Sequence, residues 1–341
     1  METLRRVFLP VLMLTAGVVA CDEEGADDLE QVFRADPIPC PKCQLNAAQV
    51  NGSAISSLDL AGAPNEQGVA VLHVLDPDGR KYTLGVIDEE LAAYDGAKLV
   101  AFGDDLVGWT LVVAVGRSPQ RILISTRHEE PSWAKDADPI GLYALDVVDG
   151  QGVHNVCPGY DVGFPAVTIL HGETYDHELK EVDLVGDQWI TLACREEAMY
   201  KVKRMGYGPK GDQGLDRQPA SIEQRTAALK MVTADYCGTG HSFTEFHTQI
   251  LWNNRTHTVH TADLVQNVAI EAFWDENGAR CLSKPRLVTR AEVLAECDLP
   301  PCSTFPLNSA WEWRTYAPMP PLGGGTPKLS ESSPIYKLFK P

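Results

Sequence analysis

Nine cysteines in a chain of 341 residues constrain its folding more than any other feature. A disulfide holds two Cα atoms about 4.4–6.8 Å apart, so each pairing excludes most arrangements of the intervening chain. An odd number cannot all pair within one molecule. Eight of the nine lie between Cys40 and Cys302, and Cys21 stands apart near the N-terminus.

The residues before Cys21 explain the separation. Arg5 and Arg6 form a positive start, and Val7 to Val19 is an uncharged, mostly apolar stretch interrupted by Pro10. It has the length of a signal-peptide core and falls short of the roughly 20 residues a membrane-spanning helix needs. Val18-Val19-Ala20-Cys21 resembles the lipobox of bacterial lipoproteins, which implies cleavage before Cys21 and lipid attachment to it. A multiply acylated terminus would anchor the protein stably, because each buried methylene contributes about 0.8 kcal/mol. The expectation is a protein tethered to a membrane from outside the cytoplasm, on the inner or outer membrane.

The chain carries 47 acidic and 29 basic residues, a formal charge of -18. Such a balance argues against a nucleic-acid partner, since phosphate affinity comes from clustered Lys and Arg. Losing residues 1–20 removes Glu2, Arg5 and Arg6, which leaves 46 acidic against 27 basic residues. The run Asp22-Glu23-Glu24-Gly25-Ala26-Asp27-Asp28 follows Cys21 directly, and residues 21–38 read as an acidic, self-repelling tether.

From about residue 39 the texture becomes short apolar runs separated by turn residues. Asp78-Gly79 lies between Val69–Leu75 and Lys81–Ile87, and Asn277-Gly278 lies between Ala269–Trp274 and Arg280–Leu282. Both predict hairpins, because Asp-Gly and Asn-Gly accept the positive φ that tight turns require. Leu111–Val115 and Arg121–Thr126 predict a third hairpin. Helix signals are fewer. Ser221-Ile222-Glu223-Gln224 and Thr289-Arg290-Ala291-Glu292 are capping-box patterns, each opening a helix. The fold class is therefore α+β, predominantly antiparallel β with a few short helices, stapled by disulfides. The expected organisation is a signal peptide (1–20), the tether (21–38), a β-rich region (39–135), a second domain (136–303) and a Pro/Gly-rich tail (304–341), with Trp311 and Trp313 docking the start of that tail.

With Cys21 assigned to lipid, Cys40, Cys43, Cys157, Cys194, Cys237, Cys281, Cys297 and Cys302 remain, an even set suited to an oxidising compartment. Eight cysteines allow 105 connectivities. Sequence neighbourhood suggests Cys40–Cys43, Cys157–Cys194, Cys237–Cys281 and Cys297–Cys302. The rival is zinc on Cys40-Pro41-Lys42-Cys43 with Cys297 and Cys302. The four residues between the latter pair, where a regular zinc knuckle has two, weigh against it. A redox-active Cys-x-x-Cys would need a thioredoxin-like βαβ context that the pattern lacks. Structural disulfides, with no metal or cofactor, are expected.

The stretch Lys230-Met231-Val232-Thr233-Ala234-Asp235-Tyr236-Cys237-Gly238 is distinctive. It comes in order with Ile190-Thr191-Leu192-Ala193-Cys194, Met205-Gly206-Tyr207, Phe273-Trp274 ahead of Gly278-Ala279 and Cys281, and the Cys297/Cys302 pair. This series resembles the ADYC-domain family of secreted or lipid-anchored bacterial proteins, over residues from about 140 to 302. The resemblance implies an extracytoplasmic setting and brings no activity with it. The chain departs from the family pattern at Val202 and Ala228, where relatives tend to carry a further cysteine pair, and at Thr239, where they tend to be acidic.

Candidate chemistry concentrates in residues 235–263. Asp235, Cys237 and His241 could suggest a thiol nucleophile, but an oxidised Cys237 is inert. Asp235, His241, Glu245, His257 and His260, with His247 and Asp263 nearby, form the densest set of polar ligands. His257 and His260 would share a face only on a helix, and Thr256-His257-Thr258-Val259-His260-Thr261 reads as strand. The sequence lacks a Ser-His-Asp elbow, an HExxH, a Walker loop and a dinucleotide fingerprint. Two functions follow as expectations. One is a non-catalytic binding or envelope-associated module, its partner an envelope protein or polysaccharide. The alternative is an extracytoplasmic hydrolase or metal-dependent enzyme with its site in 235–263.

Overall fold

The computed structural model describes residues 44–45, 47–50, 55–149, 152–157, 164–211, 219–246, 248–259, 268–306 and 309–318. Cys21, Cys40, Cys43, His247, His260 and Asp263 lie outside them, and with them the expected lipid site and the Cys40–Cys43 pair.

The architecture is antiparallel β with short helices. The larger sheet has 11 strands. Its path runs β2 (Ser57–Asp59), β14 (Trp189–Cys194), β11 (Val167–His171), β9 (Ile140–Asp149), β8 (Ser118–Glu130), β7 (Thr110–Val115), β3 (Val69–Leu75), β4 (Lys81–Ile87), β5 (Glu90–Asp95) and β6 (Lys98–Phe102), with β10 (Gly152–Asn155) paired to β9. The smaller sheet orders β1 (Gln44–Leu45), β15 (Gln249–Asn254), β18 (Trp313–Pro318), β16 (Val268–Asp275) and β17 (Gly278–Leu282). A separate hairpin pairs β12 (Glu173–Asp176) with β13 (Glu181–Leu184).

The three expected hairpins form as β3–β4, β7–β8 and β16–β17. Residues 135 and 136, between which sequence places a boundary, lie in the segment that connects β8 to its sheet neighbour β9. Residues 313–318, expected within the tail, form the middle of the smaller sheet, between β15 and β16. The flanking prolines hide a short alternating run, Trp313-Arg314-Thr315-Tyr316, whose Trp313 and Thr315 are fully buried.

Both capping boxes close. Ser221 accepts from the Gln224 N–H and opens α2 (Ile222–Thr233), and Thr289 accepts from the Glu292 N–H and opens α3 (Arg290–Leu294). A further helix, α1 (Ala198–Val202), runs into a π-type turn over Lys203–Tyr207, within which Gly206 takes a positive φ of 80°. Sequence periodicity misses α1, because every one of its residues is buried and no polar face alternates with an apolar one.

Among the described residues the apolar side chains form two large cores and a small third cluster of Phe273, Cys281 and Cys302, with Phe305 and Trp311 packed against it. One large core gathers α1, α2 and the smaller sheet around Met199, Tyr200, Tyr207, Leu229, Val232, Trp252, Trp274 and Trp313. The other lies within the larger sheet, around Leu58, Val74, Leu91, Ile124, Leu145, Ile169 and Leu192. β9, β11 and β14 contribute alternate residues to each core, since successive strand side chains face opposite ways. Val202 and Ala228 are both fully buried in the first core.

Three disulfides staple the described residues. Cys157–Cys194 pairs as expected. The other two differ from the neighbour pairing: Cys237 joins Cys297, and Cys281 joins Cys302. The reason is the path after β17. Arg290 at the start of α3 donates to the carbonyls of Leu282 and Leu299, and the Leu282 N–H donates to the Pro300 carbonyl at 2.9 Å. The chain thus returns along β17, which sets Cys302 beside Cys281 and leaves Cys297, one turn beyond α3, for Cys237.

Lys201 is 1% exposed in α1, with the Glu196 carboxylate 3.7 Å away. Burial pushes its amine down to about 8, and Glu196 only partly offsets that shift. The unfolded chain, with an ordinary lysine value of 10.5, binds more protons than the folded one between pH 8 and 10.5. Stability should therefore rise with pH across that window by on the order of 3 kcal/mol at most. Denaturant midpoints measured from pH 7.5 to 10.5 should climb for the wild type and lose that climb in Lys201→Met. Equal slopes in the two proteins would refute the assignment.

Candidate functional site

The ADYC block begins where α2 stops. Ala234 takes the left-handed conformation at φ 53° and turns the chain out of the helix. Asp235, fully buried, then serves as an internal anchor. Its Oδ2 lies 3.2 Å from Lys230 Nζ, and its two oxygens accept the Thr239 and Gly240 N–H groups at 3.0 and 2.9 Å. Lys230, itself 1% exposed, also donates to the carbonyls of Leu179 and Gly238. A carboxylate and an ammonium withdrawn from water together are tolerable because nearly every donor and acceptor is matched.

Tyr236 points into the core. Its ring stacks on Trp274 at 5.1 Å, and its hydroxyl donates to Glu271. Burial and the Glu271 charge together hold the phenol well above its usual range. Arg286 completes the cluster by gripping Glu271 through two nitrogens, at 2.6 and 3.0 Å, with both side chains wholly buried. Cys237 is bonded to Cys297. Gly238 and Gly240 both have positive φ, and a Cβ there would sit 2.0 Å from the Asn277 carbonyl oxygen or 1.5 Å from that of Glu178. Each position of Ala-Asp-Tyr-Cys-Gly thus has a structural duty: helix stop, turn anchor, core ring, crosslink, close backbone approach.

The remaining polar candidates are placed apart from this turn's interior. His241 is exposed, pairs with Glu296 at 2.7 Å and lies against the Phe243 ring. Glu245 is exposed, and so is His257, at φ 56° in the turn after β15. His260 lies outside the described residues. Among the described residues no group of three or more His, Cys, Asp or Glu is placed to hold a metal ion.

Sequence reasoning missed a cleft of about 380 Å³ that none of the Ala234–Gly238 residues lines. Its walls come from the β4–β5 turn (Asp88, Glu89, Glu90), the start of β9 with the residues before it (Asp136, Asp138, Gly141), and the turn after α1 (Lys203, Gly206, Lys210). Asp88 and Glu89 both have positive φ, at 48° and 62°, so a two-residue hairpin turn is made without glycine. Ion pairs hold it. Glu89 reaches Lys203 Nζ at 3.2 Å and Asp88 meets Lys210, while Arg127 binds Glu90 through two nitrogens at 2.9 Å each. Tyr143 also donates to Glu90, whose carboxylate fills the space a Cβ on Gly141 would need. Both lysines on the wall are already paired, so the lining is acidic on balance. No sequence motif marks the cleft, because its charges come from three distant segments and read singly as solvated residues.

What fold and site define is a disulfide-stapled, mainly antiparallel protein whose distinctive motif is a buried structural turn. The family model described as the ADYC domain matches residues 103–288, more than half of the chain, and the chain belongs to that family. No curated protein and no solved structure matches it. The matched range stops before Cys297 and Cys302, so two of the three disulfides tie the family region to residues beyond it.

Proposed function

We propose that this is a lipid-anchored extracytoplasmic protein, acting as a non-catalytic binding or envelope-associated module on a tether formed by residues 21–38. The observation that carries the non-catalytic reading is the spending of the motif's reactive groups on the fold: Asp235 on Lys230 and two N–H groups, Tyr236 on Glu271, Cys237 on Cys297. A general base or nucleophile must instead present a free lone pair to a substrate. The anchor is supported by the order Arg5-Arg6, apolar core, Val18-Val19-Ala20-Cys21. The oxidising compartment is supported by the three crosslinks.

The test is fractionation of cells expressing wild type and Cys21→Ser, with non-reducing peptide mapping of both. Wild type should sediment with the membranes and Cys21→Ser should be soluble, each with Cys157–Cys194, Cys237–Cys297 and Cys281–Cys302 closed and with Cys40 and Cys43 joined as the fourth pair. A Cys21→Ser chain that stays with the membranes overturns the anchor. Two or more free thiols among the eight other cysteines overturn the compartment.

A further inference from the structure

β6 closes one side of the larger sheet, and among the described residues its only strand partner is β5. An edge strand presents a row of outward N–H and C=O groups, and proteins usually blunt such an edge with charge, proline or a cover. β6 carries a single charge, Lys98, and that residue sits opposite Asp95 of β5. Leu99, Val100 and Phe102 are 44%, 41% and 42% exposed, and Val107 just beyond is 41% exposed. Exposed Asp95, Asp104 and Asp105 flank the strand. The edge is thus apolar along its length and acidic at its ends.

The chain itself contains a segment of complementary character. Ile335-Tyr336-Lys337-Leu338-Phe339-Lys340 is rich in β-branched and aromatic residues and carries two lysines and no acid, within a protein whose formal charge is -18. The 17 residues from Pro318 at the end of β18 to Ile335 can span up to about 55 Å. A folded body of this size has a radius of gyration of about 19 Å, so most of its surface is within reach.

We propose that residues 335–340 add to β6 as a further strand of the larger sheet, in the same molecule. Backbone hydrogen bonds would satisfy the open edge and the apolar side chains would cover Leu99, Val100 and Phe102. Lys337 and Lys340 would face the flanking aspartates. Extended-peptide addition to a free sheet edge is a general recognition mode in which the main chain supplies affinity and alternate side chains supply specificity.

Hydrogen exchange on the full chain and on a chain ending at Pro334 tests this, since the truncation removes no described residue. Loss of 335–341 should speed exchange of the 98–102 amides about tenfold or more while leaving β9 and β14 unchanged. A synthetic peptide of residues 335–340 added to the truncated chain should restore protection, more weakly as salt rises, and its Lys337→Glu/Lys340→Glu form should not. Unchanged exchange at 98–102 on truncation would overturn the proposal, as would equal rescue by the charge-reversed peptide. Protection that disappears on dilution would also overturn it, by assigning the strand to a second copy.

Discussion

A Gly240→Ala chain is expected to fail to fold, or to lose at least about 4 kcal/mol of stability, a magnitude reserved for mutations with a specific steric or buried-charge cause. The added Cβ would lie 1.5 Å from the Glu178 carbonyl oxygen and 3.1 Å from the Leu179 Cα, both backbone atoms that cannot rotate away. Gly79→Ala separates this contact from simple conformational strain. Gly79 has nearly the same φ, 83° against 85°, and nothing within 4 Å of its would-be Cβ. It should cost only about 1–2 kcal/mol, the penalty for a non-glycine residue in the left-handed region. Urea midpoints of the two variants read the difference. Similar losses in both would mean that the close approach of the 238–240 turn to Glu178 is not what requires glycine.

Asp235→Ala should cost about 3–5 kcal/mol, because it leaves a buried ammonium on Lys230 without its carboxylate. It also strips the Thr239 and Gly240 N–H groups of their acceptor. Asp235→Asn keeps an acceptor oxygen and should cost less. The double variant Asp235→Asn/Lys230→Met should recover at least half of the Asp235→Ala loss, since coupled residues are not additive and the stranded charge is gone. Denaturant unfolding with disulfides intact measures all three. A loss below about 1 kcal/mol for Asp235→Ala, in the range of ordinary surface changes, would show that Asp235 is not an anchor.

How legible these features were follows their range along the chain. The hairpins at Asp78-Gly79, Gly116-Arg117 and Asn277-Gly278 and the caps at Ser221 and Thr289 depend on four to six consecutive residues, and each forms. Cys157–Cys194 was readable because the two are neighbours in the order of cysteines along the chain. The Cys237–Cys297 and Cys281–Cys302 pairs were not, because α3 reverses the chain between them. β18 was hidden in proline-rich sequence, and its partners β15 and β16 come from earlier in the chain. The buried charges were the least legible. Lys230, Asp235, Glu271 and Arg286 read as ordinary polar residues until folding places each within reach of its counter-charge.

The hairpins, the fold class and the ADYC block were settled by the residues themselves, because each is encoded in local patterns. Of the nine cysteines, six pair among the described residues. Which cysteine meets which, and whether Asp235 and Tyr236 serve chemistry or the core, was decided only by the packing of α2, α3 and the smaller sheet. A carboxylate has one meaning in water and another beside a buried ammonium, and the surroundings that choose between them are assembled from residues far apart in the chain.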